Sequence, residues 1–538
     1  MQLARLNLFL RAASQPKQLP RLNVIEKDSL VWSYEDAPNA FIIEKDFPLA
    51  AEAGGFDVVL GNPPWEKWKP DSQEFFEQYE PGFKSLPTQK AKKRAGELLE
   101  KRAVKKAWED KLREYEYYSG LFREKFSHQS AKANGRRASG DLDLYKIFTE
   151  RFYQLLKPGG TAGMVVPSGV YTDLGSKGLR KLLFENTRIT ALYSFENRGH
   201  AIFPDVHASY KPIILTFEKG GKTESFPCAF FLHSDEDLKK AVENPTVLTV
   251  DFVKKSSPTS WSVLEIKTPQ DKKIVEKLLK FPPLGEKIAE AWNVELQSGF
   301  HMTNDSHLFK ANKDAGVQTR LQGGSLDLPL LEGKNIGQFT HQWKEAPTPR
   351  YKLLEKDVAA DLQPGKRYDA SYWLAYRLIA SSTNYRTLIS AVIPSGYVCG
   401  HSLAIVRLPN VKQLCFLAGV MNSFVVDYFI RQKVSANVTR FNFLETPVPR
   451  LSSGKEFDFI ARKACQLSCT TAEFDELKRE LGVEGGLTGE NEREQARAQI
   501  DAAVAKLYGL SKDELEYVLS KFPLVDENRV FVYYGLEV

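Results

Sequence analysis

One stretch of ten residues, Phe56-Asp-Val-Val-Leu-Gly-Asn-Pro-Pro-Trp65, constrains this chain more than any other. The apolar run Phe56 to Leu60 is too short for a globular helix and ends at Gly61-Asn62-Pro63-Pro64. It predicts a strand buried on both faces of a parallel sheet. Such a strand delivers Asn62 to the carboxyl end of the sheet, where open α/β folds hold ligands. Pro63 and Pro64 fix the backbone there and bring no N–H groups to compete for acceptors. The Asn62 side-chain oxygen and the Pro63 carbonyl form two acceptors for the two hydrogens of one exocyclic amine. Trp65 adds a ring on which a flat base can stack, a contact worth roughly 1–3 kcal/mol.

The flanking sequence alternates between the two secondary-structure periods. Arg5 to Arg11 has helical spacing, and Leu22 to Ile25 is a short strand candidate. Asp143 to Leu156 predicts an amphipathic helix, ended by Lys157-Pro-Gly-Gly160 and followed by a strand, Thr161 to Val166. Ile189 to Phe195 and Pro212 to Phe217 add two more strands. Apolar strands alternating with helices predict a doubly wound, Rossmann-like α/β domain.

A polar, helical insertion interrupts that domain between Glu66 and about Gly140. From Lys84 to Arg113 it carries eleven Lys/Arg against four acids, a local excess of +7. The whole chain of 538 residues carries only +6, so its basicity is concentrated in this insertion. One reading is a solvated helical face; the other is an arm lying along a phosphate backbone. The residues that would make that contact are Lys90, Lys92, Lys93, Arg94, Lys101 and Arg102.

With 42% hydrophobic and 12% aromatic residues the chain is not mostly disordered. Its length is worth about three or four domains. The five cysteines are scattered without a C-x-x-C pair, which argues against a disulfide framework or a zinc site. Met1 to Pro20 lacks the continuous apolar core of a signal peptide. Leu414 to Ile430 is apolar but shorter than a usual span and contains Asn422, Ser423 and Asp427, so it predicts a buried helix. A soluble, cytoplasmic protein is expected.

Asn-Pro-Pro-Trp after an apolar strand resembles the catalytic motif of amino-methylating DNA methyltransferases. In particular it resembles the gamma-class adenine-N6 group, which includes Type IIG restriction-modification enzymes and phage-defence methylases. Asp143-Leu-Tyr-Lys-Ile-Phe148 and Leu155-Leu-Lys-Pro-Gly-Gly-Thr-Ala-Gly-Met-Val-Val-Pro167 are similar to the next helix and strand of that family. The resemblance implies a class I methyltransferase fold, S-adenosylmethionine as cofactor and double-stranded DNA as partner. The target adenine would leave the duplex stack, at a cost of a few kcal/mol. Its amine would be held by Asn62 and Pro63, followed by Pro64, and its ring would stack on Trp65. The resemblance further implies a cofactor contact from Asp28 and Ser29, in Lys27-Asp28-Ser29-Leu30, and from Asn62. In Ile202-Phe203-Pro204 it assigns Phe203 to packing on the flipped base.

One part of the family pattern is missing. No Gly-rich F-x-G-x-G-like segment lies between Met1 and Gly61. The methyltransferase domain, residues 1–220 with the insertion 66–140, is therefore expected to be N-terminally incomplete. A preceding segment or a partner subunit would supply the cofactor's glycine motif, and the chain alone would bind the cofactor weakly. The competing reading is a DNA-recognition subunit whose catalytic half has decayed.

After a connecting segment, 221–287, the region 288–450 resembles the α+β target-recognition domain of the same enzymes. The matching pieces include Leu331-Glu-Gly-Lys-Asn-Ile336, His401-Ser-Leu-Ala-Ile405 and Leu417-Ala-Gly-Val-Met-Asn-Ser423. Arg367, Arg386 and Arg440, interleaved with tyrosines, are its candidate DNA contacts. The last region, 454–538, predicts helices, with a capping box at Ser511-Lys-Asp-Glu514. Asp251 with Glu265-Ile-Lys267 imitates a metal-dependent nuclease pattern but lacks its Pro-Asp turn, so no nuclease centre is expected there.

Overall fold

The computed structural model describes residues 23–31, 39–129, 132–133, 136–137, 142–197, 203–204, 206, 210–312, 326–360, 371–380, 384–434 and 437–522. The chain divides into two compact units. The first is Met1–Lys254 with Ser260–Ser262; the second is Lys255–Thr259 with Val263–Val538.

The first unit is built on β1 (Phe56–Gly61), α1 (Thr88–Leu99), α2 (Arg102–Lys125), α3 (Leu144–Leu155), β2 (Leu156–Pro167), α4 (Lys177–Asn186), β3 (Thr187–Phe195), β4 (Pro212–Lys219), β5 (Ser225–Leu232) and β6 (Thr246–Thr249). The six strands form one mixed sheet in the order β1-β2-β4-β3-β5-β6. β1 runs parallel to β2, and β3 runs parallel to β5. The remaining pairs are antiparallel. The α/β class read from the sequence is observed, but as a mixed sheet: helices lie between β1 and β2 and between β2 and β3, whereas β4 and β5 are joined by a short turn.

Three expectations need correction. Phe56 to Leu60 is a strand with a parallel neighbour, but it is the edge of the sheet rather than its buried middle. Among the described residues β1 pairs with β2 alone, and Val58 (56% exposed) and Leu60 (73%) stand on a face of the strand that nothing covers. Residues 23–27 form no strand, and Asp28 makes a single bridge to Ala40. Finally, the segment 221–287 does not merely connect. Its strands β5 and β6 extend the first sheet, and Phe226, Cys228 and Leu248 are buried in it. The expected helix Arg5 to Arg11 lies outside the described residues.

The Lys157-Pro-Gly-Gly160 stretch does more than end a helix, since β2 already begins at Leu156. A Cβ on Gly160 would lie 2.7 Å from the carbonyl oxygen of Phe56. Glycine here lets the two backbones approach where the β1–β2 register shifts.

The insertion is helical, as expected, and has its own small core. Phe75, Phe76, Phe83, Leu98 and Val104 are buried together, with Trp108 packed against them. That core fixes α1 and α2 with Lys90, Lys92, Lys93, Arg94, Lys101 and Arg102 exposed.

The second unit contains β7 (Glu295–Ser298), β8 (Lys310–Ala311), β9 (Asp327–Leu331), β10 (Tyr351–Leu354), β11 (Trp373–Arg377), β12 (Ser390–Ile393), β13 (Val398–Cys399) and β14 (Leu403–Arg407). They form two four-stranded sheets, β7-β14-β11-β12 and β8-β10-β9-β13. Helices α5 (Val411–Met421), α6 (Phe424–Arg431), α7 (Lys455–Ser468), α8 (Glu490–Leu507) and α9 (Lys512–Ser520) follow. Ser511 and Glu514 form the capping box of α9. The apolar run Leu414 to Ile430 is two helices bent by 63° at Asn422-Ser423, and all of its residues are buried. Each fully buried Leu or Phe there contributes about 1.5–3 kcal/mol. Among the described residues no single helix is long and apolar enough to cross a membrane.

Candidate active site

Gly61 is the last residue of β1 and is paired with Met164, so Asn62 emerges at the carboxyl end of β1 beside Val165 of β2. Pro63 is buried and Pro64 is exposed, which anchors the turn on one side and opens it on the other. The Trp65 indole N–H folds back and donates to Asn62 Oδ1 at 3.0 Å, with a second, longer contact to the Val165 carbonyl at 3.3 Å. An amide oxygen has two lone pairs, so Asn62 Oδ1 retains one acceptor site.

Phe203 lies edge-on to Trp65, with centroids 5.5 Å apart and planes at 72°. The sequence-predicted Asn62, Trp65 and Phe203 are thus brought together from segments far apart in the chain. The agent that holds Phe203 is Asn197, which is fully buried. Its Oδ1 accepts from the Phe203 N–H at 2.9 Å, and its Nδ2 donates to the carbonyls of Phe203 and Val206. Sequence reasoning missed Asn197, since a single Asn after a strand reads as an ordinary turn residue. It also missed Tyr210, whose ring centre is 6.2 Å from that of Trp65.

A polar cluster borders this turn. The N–H of Leu144 donates to the Glu66 carbonyl, joining the start of α3 to the chain that leaves Trp65. Lys146, the third residue of α3, is buried between Asp143 at 2.6 Å and Asp173 at 3.0 Å. The Tyr145 hydroxyl also reaches Asp173, and burial together with that carboxylate raises its pKa. The Asp143-Leu-Tyr-Lys146 resemblance flagged this segment; the Asp173 partner had no sequence signal.

The remaining predicted residues fall elsewhere. Asp28 Oδ1 accepts from the Leu30 N–H at 2.9 Å, closing a local turn. The Ser29 carbonyl accepts from Arg151 Nε at 2.6 Å. These groups are engaged in holding the chain.

Of the residues proposed for DNA contact, Arg94 is shared between Glu80 and Glu97, whereas the neighbouring lysines of α1 are exposed. Arg440 is half-buried and donates to Ser298 Oγ at 2.7 Å. Arg367 lies outside the described residues. Arg386 is a correction: it is only 4% exposed, stacks on Phe424 at 3.7 Å and faces the fully buried Asp427. It belongs to an internal ion pair and offers little surface for a DNA contact.

The Asn-Pro-Pro-Trp turn at the carboxyl end of β1 lies in the part of the first unit that a family model covers. Residues 1–94 and 117–203 match the family model described as Eco57I restriction-modification methylase. No curated protein matches the chain. Among solved structures it is similar to the Type IIL restriction-modification enzyme MmeI in complex with DNA. That match has 11% identity and a TM-score of 0.47, and covers 96% of this chain and 62% of that one. It is also similar to the ATP-dependent Type ISP enzyme LlaBIII bound to DNA, at 10% identity and a TM-score of 0.43. There the coverage is 86% of this chain and 33% of the other. A third likeness is to DrdV in a DNA complex, at 12% identity and a TM-score of 0.41, over 87% and 49% of the two chains. This chain therefore spans about 62% of the length of the first of these structures, and less of the other two.

Proposed function

We propose that this chain is the catalytic and specificity portion of a site-specific DNA methyltransferase acting on the N6 amine of a flipped adenine. The setting is a cytoplasmic restriction-modification or phage-defence system. The observation that carries this reading is the Asn62–Trp65 turn at the carboxyl end of β1, with an acceptor of Asn62 still available and Phe203 edge-on to Trp65. Asn62 and the Pro63 carbonyl hold the two amine hydrogens. That draws the nitrogen lone pair out of conjugation with the ring and makes the amine nucleophilic. Pro64 keeps the turn rigid and Trp65 supports the base. Positioning and electrostatics supply most of the rate.

S-adenosylmethionine, the methyl donor of this reading, supplies an electrophilic methyl group when bound. Residues beyond those described, in a preceding segment or a partner subunit, complete its cradle. Two features of β1 support that view: among the described residues its outer backbone edge is unpaired, and the face carrying Val58 and Leu60 is uncovered, as suits a strand that meets further structure. Double-stranded DNA is the macromolecular partner, met by the exposed lysines of α1 and by the second unit.

The same open edge, with the local commitment of Asp28, also favours a second reading, a DNA-recognition subunit without activity of its own. One experiment separates the two. The chain, with the segment or subunit that covers β1, is incubated with methyl donor and DNA, and N6-methyladenine is quantified by mass spectrometry. Asn62→Ala should reduce transfer by about 100-fold or more, the scale for losing one preorganised polar group. DNA affinity should be unchanged. An Asn62→Ala variant as active as the parent would exclude the catalytic reading. A parent that binds DNA and transfers nothing would favour the recognition subunit.

A further inference from the structure

We propose that Tyr210 is the second wall of the base slot, so that the target base is held between the rings of Trp65 and Tyr210. This assignment rests on the Asn62–Trp65 reading above and names a binding residue that the reading lacks.

β2 has β1 on one side and β4 on the other. Trp65 follows β1, and Tyr210 lies just before β4. Both are tied to the last residues of β2 or to the residue after it. The Trp65 indole reaches the Val165 carbonyl, and the Ser168 N–H donates to the carbonyl of Lys211 at 2.9 Å. Pro167 is paired with Pro212. The two rings therefore rise from opposite flanks of a single strand end.

Their spacing is close to what a planar guest requires. The ring centres are 6.2 Å apart and the planes are tilted by 34°. A base between two aromatic faces needs two contacts of about 3.5 Å, hence about 7 Å in all. The slot is narrower than that by about 1 Å, and Tyr210 is 45% exposed, so its ring has room to swing outward and parallel to Trp65.

Phe203 cannot take this part. It stands at 72° to Trp65, and Asn197 clamps its backbone on both sides. A base stacked on Trp65 meets Phe203 at its rim. The three rings thus divide the work: Trp65 is the floor, Phe203 the fixed side and Tyr210 the movable cover.

The test uses the active methylase on a duplex whose target adenine, located by methylation mapping, is replaced by 2-aminopurine for the emission readout. Tyr210→Leu preserves size without a ring, and Tyr210→Phe preserves the ring. Tyr210→Leu should lower kcat/KM for the adenine duplex by about 5- to 160-fold, the range for one base–aromatic stack. It should also brighten 2-aminopurine emission in the complex, because one quenching ring is gone. Tyr210→Phe should stay within about twofold of the parent in both readouts. A Tyr210→Leu variant equal to the parent in both would overturn the assignment and leave the Asn62–Trp65 reading standing. A parent with neither methyl transfer nor an emission change on binding DNA would bring down both.

Discussion

The indole N–H of Trp65 donates to the side-chain oxygen of Asn62 at 3.0 Å. This hydrogen bond decides which end of the Asn62 amide is oxygen, and so which end is presented for an incoming amine. Phenylalanine at position 65 would offer a stacking face but no donor. Trp65→Phe should therefore lower kcat by about 2- to 12-fold, matching the net 0.5–1.5 kcal/mol of one hydrogen bond. KM for DNA should hardly change. A parental kcat would mean that Asn62 is oriented without the indole.

The insertion supports a separate prediction about salt. Lys90, Lys92, Lys93, Lys101 and Arg102 are exposed on α1, the start of α2 and the junction between them, outside the Phe75–Trp108 core. Replacing all five with Gln should leave thermal stability nearly unchanged. The slope of log affinity for DNA against log salt should flatten by about 0.9 for each residue that had touched a phosphate. An unchanged slope between about 50 and 200 mM salt would identify the insertion as a solvated face.

Arg386 and Asp427 form a buried pair in the second unit. Desolvation raises the Asp427 pKa, while Arg386 and Arg431 oppose that shift. Asp427→Ala should cost about 3–5 kcal/mol in unfolding free energy, because it strands a buried guanidinium. Arg386→Met, which keeps the bulk beside Phe424 but loses the charge, should also destabilise, since Asp427 then loses a neighbour. If either variant weakened DNA binding without changing stability, Arg386 would have to be returned to the DNA surface.

His341 gives a pH signature. It is 1% exposed, edge-on to Tyr397 and Phe474, and burial pushes its pKa down to about 4 from 6.5. The folded chain holds it neutral while the unfolded chain protonates it below 6.5. Stability should therefore be fully present above about pH 6.5 and decline as pH falls towards 4, by at most about 3 kcal/mol from this residue. His341→Leu should flatten that part of the curve in pH-dependent urea unfolding, whatever it does to stability at pH 7. An identical pH profile in the variant would show that other groups carry the acid sensitivity.

What the sequence revealed depended on how local the cause was. The strand ending at Asn62 was legible because four apolar residues and a Gly-Asn-Pro-Pro turn are neighbours in the chain. The helix from Leu144 and the capping box at Ser511 were legible for the same reason. That β1 is an edge was not legible, since edge or centre is decided by which distant strands pair with it. Arg386 read as surface because arginine is mostly exposed, and its partner Asp427 comes from α6, some forty residues further along the chain. Within the site, Asn62 and Trp65 were found by motif, and Phe203 by resemblance. Tyr210 and Asn197 carry no pattern of their own; only the fold brings them beside Trp65 and Phe203.

The open edge of β1 has a consequence for handling the protein. Phe56-Asp-Val-Val-Leu-Gly61 is short, rich in β-forming residues and carries one charge, Asp57, held to Lys157 at 2.5 Å. Segments of that composition on an unpaired edge seed aggregation, and a single acid is a thin gatekeeper against it. The colloidal behaviour of the isolated chain is therefore an inexpensive assay for the neighbour proposed above. Whatever segment keeps concentrated protein monodisperse, where Asp57→Ala alone makes it precipitate sooner, is the segment that belongs beside β1.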